Sequence, residues 1–377
     1  MNRHRFVSVG IAAAIFVVLL LVVVQWAFHR ASEDSFRIGV ILPLTGRAAQ
    51  FGQWAKEGIS LGTNEVRSEG SQIGVIYEDS QNDPKTAVSA FNKLLNVDRV
   101  NAVIVLTSSD TLVLLPLATE KKVILFTGTI LPGITEKSQY VFRNATNLRN
   151  EVDGMVNHMV TAENRPKVAV IYVNNDAGVW SQEYFTTQYR AIGGEVVGLE
   201  GYDPKAVDFR PQLIRLLSMS PEFLYLLSYG EFAQIMRQAR ELGFKGQFAG
   251  ITTMEDAKAA EIAGPAAEGS VYTKAEFDPT QVSGDAVAFV KEYIKCYGRP
   301  PELYAATMRD AVHLLALAAR NARPPHGDTL RDALLALPSF PGVSGETKFE
   351  ANRDVKKAVI IKQIRDGKFT IYAADPL

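Results

Sequence analysis

The sequence predicts an α/β protein: two doubly wound lobes carried behind an apolar N-terminal helix. Three observations support this. Short runs of Val, Ile and Leu alternate with longer amphipathic stretches, the pattern of parallel strands covered by helices on both faces. The alternation runs through one series, breaks near Arg143, and resumes as a second series. The length, 377 residues, suits about two globular units with room for a further segment. A hydrophobic content of 47% provides enough apolar surface to fold, and a net charge of −1 lacks the basic excess of a nucleic-acid binder. The one cysteine, Cys296, excludes an intramolecular disulfide and any multi-cysteine metal site.

Residues 6–28 (FVSVGIAAAIFVVLLLVVVQWAF) form a nearly unbroken apolar run, long enough to cross a hydrocarbon core of about 30 Å as a helix. Arg3 and Arg5 precede it, so the positive-inside rule exports everything that follows, and Trp26 suits the outer interface. Two readings remain open: an uncleaved inner-membrane anchor, or a signal peptide. The length of the run and the poor small-x-small site in QWAFHRAS favour the anchor. The expected location is therefore the periplasmic or extracellular face, with attachment through residues 6–28.

The first series begins with the strand FRIGVIL (36–42), the turn from Pro43 to Gly46 and a helix from about Gln53 to Arg67. IGVIYED (73–79) is the second strand. Asp83 caps the next helix, and Pro84 suits its first turn. AVIVLTSS (102–109) reads as a strand, then a helix, then the strand VILFTGT (123–129). The second series has helices near 150–163, 179–191, 209–218 and 231–242. Its strands are KVAVIYV (167–173), EVVGLEGY (195–202), FLYLLSY (223–229) and GQFAGI (246–251). Helices near 283–297, 303–321 and 328–336 follow. In the tail, Lys348 to Glu350 reads as a strand entering a turn, and Ala358 to Ile364 as another strand. Asp366-Gly367 reads as a hairpin turn.

No catalytic constellation stands out. The phosphate-cradling GxxxxGK[ST] loop, a GxGxxG after a strand, an HExxH pair and a GxSxG elbow are all missing from the sequence. The expectation is a binding protein, not an enzyme, with no cofactor and no metal. In open α/β sheets ligands sit beyond the carboxyl ends of strands, where loops meet helix N-termini. Three such places carry suitable polar chemistry. Thr107, Ser108 and Ser109 follow AVIVL and open a helix; their hydroxyls and free N–H groups suit a carboxylate, or serve only as caps. Gly128 and Thr129 follow VILF and allow close approach of a ligand to the backbone, or form an ordinary turn. Tyr229 ends FLYLLSY with a ring that either covers a ligand or joins the core.

The segments RIGVILPLTGRAAQFGQWAKEGISLG, YEDSQNDPKTAVSAFNKLL, LTSSDT, LPGIT, FRPQLIRLLSMSPEFLYL, IMRQARELGFKGQFAG and GETKFEANRDVKKAVIIKQIRDGKF occur in this order across 36–372. Taken together they resemble the periplasmic solute-binding proteins of branched-chain amino acid ABC transporters, the leucine/isoleucine/valine-binding type. The resemblance implies two Rossmann-like lobes joined by three hinge crossings near 144–148, 273–276 and 356–359 (periplasmic binding protein type I). Lobe one would be 36–145 plus 276–357, and lobe two 146–275 plus 358–377. It implies a small-molecule ligand (an amino acid or a related carboxylate or amide) between the lobes and delivery to ABC transporter membrane subunits. The alternative is a membrane-tethered ligand sensor signalling to a partner protein.

The resemblance also assigns residues. Ser108, flanked by Thr107 and Ser109, falls where a hydroxyl binds the ligand α-carboxylate. Gly128 and Thr129 fall near the family's backbone and threonine contacts, Phe51 sits where an aromatic lines the side-chain pocket, and Tyr229 matches a lobe-two aromatic that covers the ligand. The lobe-two carboxylate that pairs with a ligand ammonium aligns to Thr252, and a buried ammonium without a carboxylate is too costly for useful affinity. Either Asp176, Glu231, Glu255 or Asp256 supplies that charge, or the ligand lacks an α-amino group.

Overall fold

The computed structural model describes residues 36–46, 48–228, 230–280 and 284–372. The apolar run 6–28 and Tyr229 lie outside the described residues. Among the described residues no helix is long and apolar enough to cross a membrane.

One lobe is built on a five-stranded sheet ordered β2-β1-β3-β4-β5. Its strands are β1 (Phe36–Leu42), β2 (Ile73–Asp79), β3 (Ala102–Val105), β4 (Ile124–Thr127) and β5 (Val141–Arg143). All are paired in parallel. The crossovers are helices α1 (Ala49–Ser68), α2 (Pro84–Asn96) and α3 (Ser108–Lys121). Successive side chains point to opposite faces: Ile104 joins one core with Ile38 and Val40, while Val103 and Val105 join another with Ile41. Both faces are covered, which is why these strands read as continuous Val/Ile/Leu runs.

The other lobe holds a seven-stranded sheet ordered β14-β13-β10-β9-β8-β6-β7. Its parallel part is β6 (Lys167–Val173), β7 (Glu195–Tyr202), β8 (Phe223–Leu227), β9 (Gln247–Gly250) and β10 (Val271–Ala275). Helices α4 (Leu148–Thr161), α5 (Asp176–Ala191), α6 (Arg210–Leu217), α7 (Phe232–Glu241) and α8 (Ala257–Ala263) cover it. The sheet is mixed rather than purely parallel, because β13 (Val359–Arg365) and β14 (Lys368–Ile371) add antiparallel strands beside β10. Asp366 and Gly367 form their two-residue turn with φ of 53° and 67°, the left-handed values such a turn requires.

Between β10 and β13 the chain returns to the first lobe through α9 (Asp285–Tyr297), α10 (Leu303–Asn321) and α11 (Gly327–Leu335). Leu314, Leu315 and Leu330 from these helices enter the same core as Ile38 and Ile104. α10 packs hard against α1: a Cβ at Gly58 would collide with the backbone of Ala305. A short hairpin, β11 (Phe340–Gly342) and β12 (Gly345–Thr347), completes this excursion.

Several boundaries differ from the sequence reading. The strand expected over 102–109 ends at Val105, because Thr107 turns into the N-cap of α3. The strand expected over 123–129 is only Ile124–Thr127. Lys348 to Glu350 forms no strand; Phe349 makes an isolated bridge to Val355. β5, β10, β11 and β12 are short, and their apolar runs are too brief or too interrupted to be seen beforehand.

The chain passes between the sheets after Arg143, after Ala275 and before Val359. Two of these passages are locked together. The Arg143 guanidinium, fully buried, donates through Nε to Asp354 Oδ1 at 2.9 Å and through Nη2 to Asp354 Oδ2. Asn147 Nδ2 reaches the same carboxylate at 3.4 Å.

Candidate ligand-binding site

In the first lobe the candidate hydroxyls converge because β3 and β4 are parallel neighbours. Their carboxyl ends bring Thr107 and Thr129 to one edge of the sheet. Thr107 caps α3, its Oγ1 accepting from Asp110 N at 3.2 Å. Ser108 and Ser109 then occupy the first turn, where backbone N–H groups lack intrahelical partners and the helix dipole favours an anion. Ser108 Oγ and Thr129 Oγ1 share a hydrogen bond of 2.6 Å across the two loops. Ser109 Oγ donates to Asn82 Oδ1 at 2.8 Å. Below them, Thr111 Oγ1 meets Thr127 Oγ1 at 2.7 Å, and the Gly128 amide donates to Val105 O at 2.9 Å.

Gly128 lies where a Cβ would stand 2.7 Å from Met308 Cε and 2.9 Å from Leu106 Cδ1, so any larger residue would push those side-chain ends aside. Asp110, fully buried in the same turn, would oppose a bound anion if charged. Burial pushes its carboxyl above the ordinary range, which reduces that opposition. Arg143 Nη1 donates to Thr129 O at 3.2 Å and also to Leu131 O. The buried guanidinium therefore braces the Thr129 loop as well as the interlobe passages.

Phe51 lies on α1. It is 42% exposed and meets Trp54 and Tyr304 edge-on at ring separations of 5.6 and 5.2 Å. Trp54 and Tyr304 stack at 6.3 Å. These rings form an apolar wall that combines α1 with the start of α10.

Thr252 belongs to the second lobe, opening a 3₁₀ turn (Thr252–Met254) beyond β9. Its amide donates to Glu151 Oε2 at 2.7 Å, and Thr273 Oγ1 donates to the same oxygen at 3.1 Å. Thr253 Oγ1 ties the turn to Ser228 O at 2.7 Å. Glu151, on α4, is only 4% exposed, and burial raises its pKa to about 7 despite these two donors and the charge of Lys274. Sequence reasoning missed this residue, although a signal exists. Leu148, Glu151, Val152 and Met155 follow helical i, i+3, i+4, i+7 spacing, which places a carboxylate on the apolar stripe. Tyr304, Trp54 and Arg143 were missed as well.

The acids that the sequence offers for that charge are engaged or exposed elsewhere. Glu255 accepts from Tyr272 Oη at 3.0 Å and pairs with Lys362 at 3.1 Å. Asp256 caps α8 through Ala259 N at 2.8 Å. Glu231 accepts from Tyr202 Oη at 3.3 Å, and Asp176 is exposed at the start of α5. Two cavities of about 560 and 580 Å³ lie along the interlobe passages, one between Glu255, Lys274 and Pro301, the other between Asn147, Asp153 and Lys356. Neither is lined by the Ser108 cluster, in which Ser108 and Ser109 are half-buried and Thr129 is buried.

The likenesses to known proteins span both lobes. The chain is 27% identical over 365 residues to the Leu/Ile/Val-binding protein homolog 2 of Brucella abortus (strain 2308), covering 92% of this chain and 95% of that one. The fold superposes on a leucine-binding protein from Thermotoga maritima with a TM-score of 0.76 at 26% identity, over 90% of this chain and 98% of that one. It also superposes on the branched-chain amino acid transporter substrate-binding protein of Streptococcus pneumoniae, solved with isoleucine, with a TM-score of 0.74 at 25% identity over 89% and 97%. The sequence model of the periplasmic binding protein family matches residues 35–368. With two sheet-based lobes, hydroxyls gathered at a sheet edge and a match across nearly every described element, the chain belongs to the periplasmic binding protein family: it holds a solute and performs no reaction on it.

Proposed function

We propose that the chain captures a small carboxylate-bearing solute between its lobes on the extracytoplasmic side and delivers it to the membrane subunits of an ABC importer. The observation that carries this reading is the Ser108–Thr129 hydroxyl pair, 2.6 Å apart at the N-terminus of α3. Hydroxyls and unpaired amides at a helix N-terminus receive a carboxylate without needing a counter-charge. Phe51, with Trp54 and Tyr304, offers apolar contact for the rest of the solute, and Thr252 and Tyr229 contribute from the second lobe. The relatives named for leucine, isoleucine and valine support an amino acid as the solute class. The passages after Arg143, after Ala275 and before Val359 serve as the hinge, and residues 6–28 hold the protein at the membrane.

Thermal denaturation of the full-length chain in detergent, with candidate amino acids and carboxylic acids, tests this. A solute with a Kd of ~1 μM, present at ~100 μM, adds about 2.7 kcal/mol to the folded state. Ser108→Ala combined with Thr129→Ala abolishes that gain while the unliganded protein stays folded. A double variant that keeps the full response would remove the proposed carboxylate site.

A further inference from the structure

We propose that Glu151 receives the ammonium group of an amino-acid solute, in place of the absent loop carboxylate at Thr252, and so makes an amino group a requirement for capture. The inference rests on the cleft being the solute site and adds the chemistry of its second-lobe side.

The geometry is specific. Glu151 Oε2 is held by two donors, the Thr252 amide at 2.7 Å and the Thr273 hydroxyl at 3.1 Å. Its Oε1 has no hydrogen-bond partner among the described residues. The carboxylate thus touches the backbone of the position where the resemblance looks for one, but it arrives from α4 rather than from the loop itself. Its charge also reaches Tyr304, which stacks on Trp54 and meets Phe51. A nearly buried carboxylate with one oxygen left over from its two donors suits a cation through charge and hydrogen bonding.

Glu151 is also short of counter-charge. Lys274 on β10 acts on it but is drawn to Glu255 at 3.6 Å. Tyr225 on β8 is buried, feels Glu151, and its hydroxyl has no hydrogen-bond partner among the described residues. On β13, Lys362 pairs with Glu255, and from α5 Tyr184 bonds Asp153 instead. Without a full cation, burial keeps the Glu151 carboxyl partly protonated near neutrality, at about 7. An arriving ammonium stabilises the ionised form, so capture releases a proton below pH 7. Affinity for an amino acid then rises about tenfold between pH 6 and pH 8 and levels off above. A solute without an amino group would need the protonated carboxyl as donor, and its affinity would fall over the same range.

Calorimetric titration of the full-length chain in detergent decides this. The probes are leucine, isoleucine, valine, threonine, phenylalanine and glutamate, each beside the carboxylic acid of the same skeleton lacking the amino group. Support consists of an amino acid binding the unaltered protein with the rising pH profile and releasing protons, read from buffers of different ionisation heat. It also requires at least a hundredfold weaker binding to Glu151→Gln, while Ser108→Ala with Thr129→Ala weakens both probe classes. Deaminated acids binding the unaltered protein and Glu151→Gln equally well, with loss only in the hydroxyl variant, would overturn the role of Glu151 and leave the solute site standing. Binding of either class unaffected by the hydroxyl variant, or no binding of any probe, would overturn both. The proton count comes from the unaltered protein, so the test survives a variant that folds poorly.

Discussion

The two sides of the cleft hold their polar groups in opposite ways. On the first lobe, Ser108 pairs with buried Thr129 and Ser109 with exposed Asn82 through neutral hydrogen bonds. On the second lobe, Glu151 is a nearly sealed carboxylate with two donors on one oxygen and little counter-charge. The first arrangement is close to neutral for folding. The second strains the unliganded protein, because a buried charge without a partner is unfavourable until something supplies one. Under the proposed function the hydroxyl side would keep its shape when empty, and the carboxylate side would give an ammonium a large differential interaction.

The contrast can be broken first at its brace. Arg143 carries the Thr129 loop and binds Asp354 across two interlobe passages, wholly inside the protein. Arg143→Ala leaves the Asp354 carboxylate buried without its partner, and urea denaturation should show a loss of about 3–5 kcal/mol. A loss below 1 kcal/mol would mean that the hydroxyl edge stands without this support.

The next effect has the opposite sign. Burial raises Glu151 to about 7 from an ordinary value near 4.5. Below pH 4.5 both folded and unfolded chains hold this proton. Between 4.5 and 7 the unfolded chain releases it first, so the group's contribution to stability falls as pH rises. Glu151→Gln keeps the shape and removes the charge. The unliganded variant should match the unaltered protein near pH 4 and exceed it by roughly 2–3 kcal/mol at pH 8. Parallel denaturation curves at both pH values would contradict the assignment of strain to this residue.

Thr273→Val removes one of the two donors to Glu151. The expected loss is about 1–2 kcal/mol at pH 8, where the carboxylate is charged, and less at pH 5. The smallest effect on folding belongs to the hydroxyl edge: Ser108→Ala should change stability by no more than about 0.5 kcal/mol while removing most solute affinity. Guanidinium denaturation beside calorimetric titration separates the two quantities. A large stability loss at Ser108 would recast it as a structural cap.

Much of the architecture was legible in the order of residues. Parallel strands buried on both faces must be continuously apolar, so FRIGVIL, KVAVIYV and FLYLL declared themselves, and Asp83-Pro84 marked a helix start by capping chemistry alone. β10 escaped notice because Thr273 and Lys274 interrupt its apolar run; Thr273 turns to Glu151 and Lys274 toward Glu255. The hydroxyls of Thr107, Ser108 and Ser109 were readable because strand-end chemistry is local, a polar cluster after an apolar run meeting a helix N-terminus, while Thr129 was readable as a polar residue in the loop after an apolar strand.

Glu151 belongs to the other category. Taken along the chain it is an acid on the apolar stripe of a helix whose partners are out of sight, 101 residues from the Thr252 amide and 122 from the Thr273 hydroxyl that it accepts from. The periodic pattern of apolar and polar residues was sufficient to establish the lobes and the hydroxyl edge, since both follow from which neighbours in sequence share a face. Only the assembled fold could bring α4, β10 and the turn after β9 around one carboxyl, because desolvation and counter-charge depend on what is near in space.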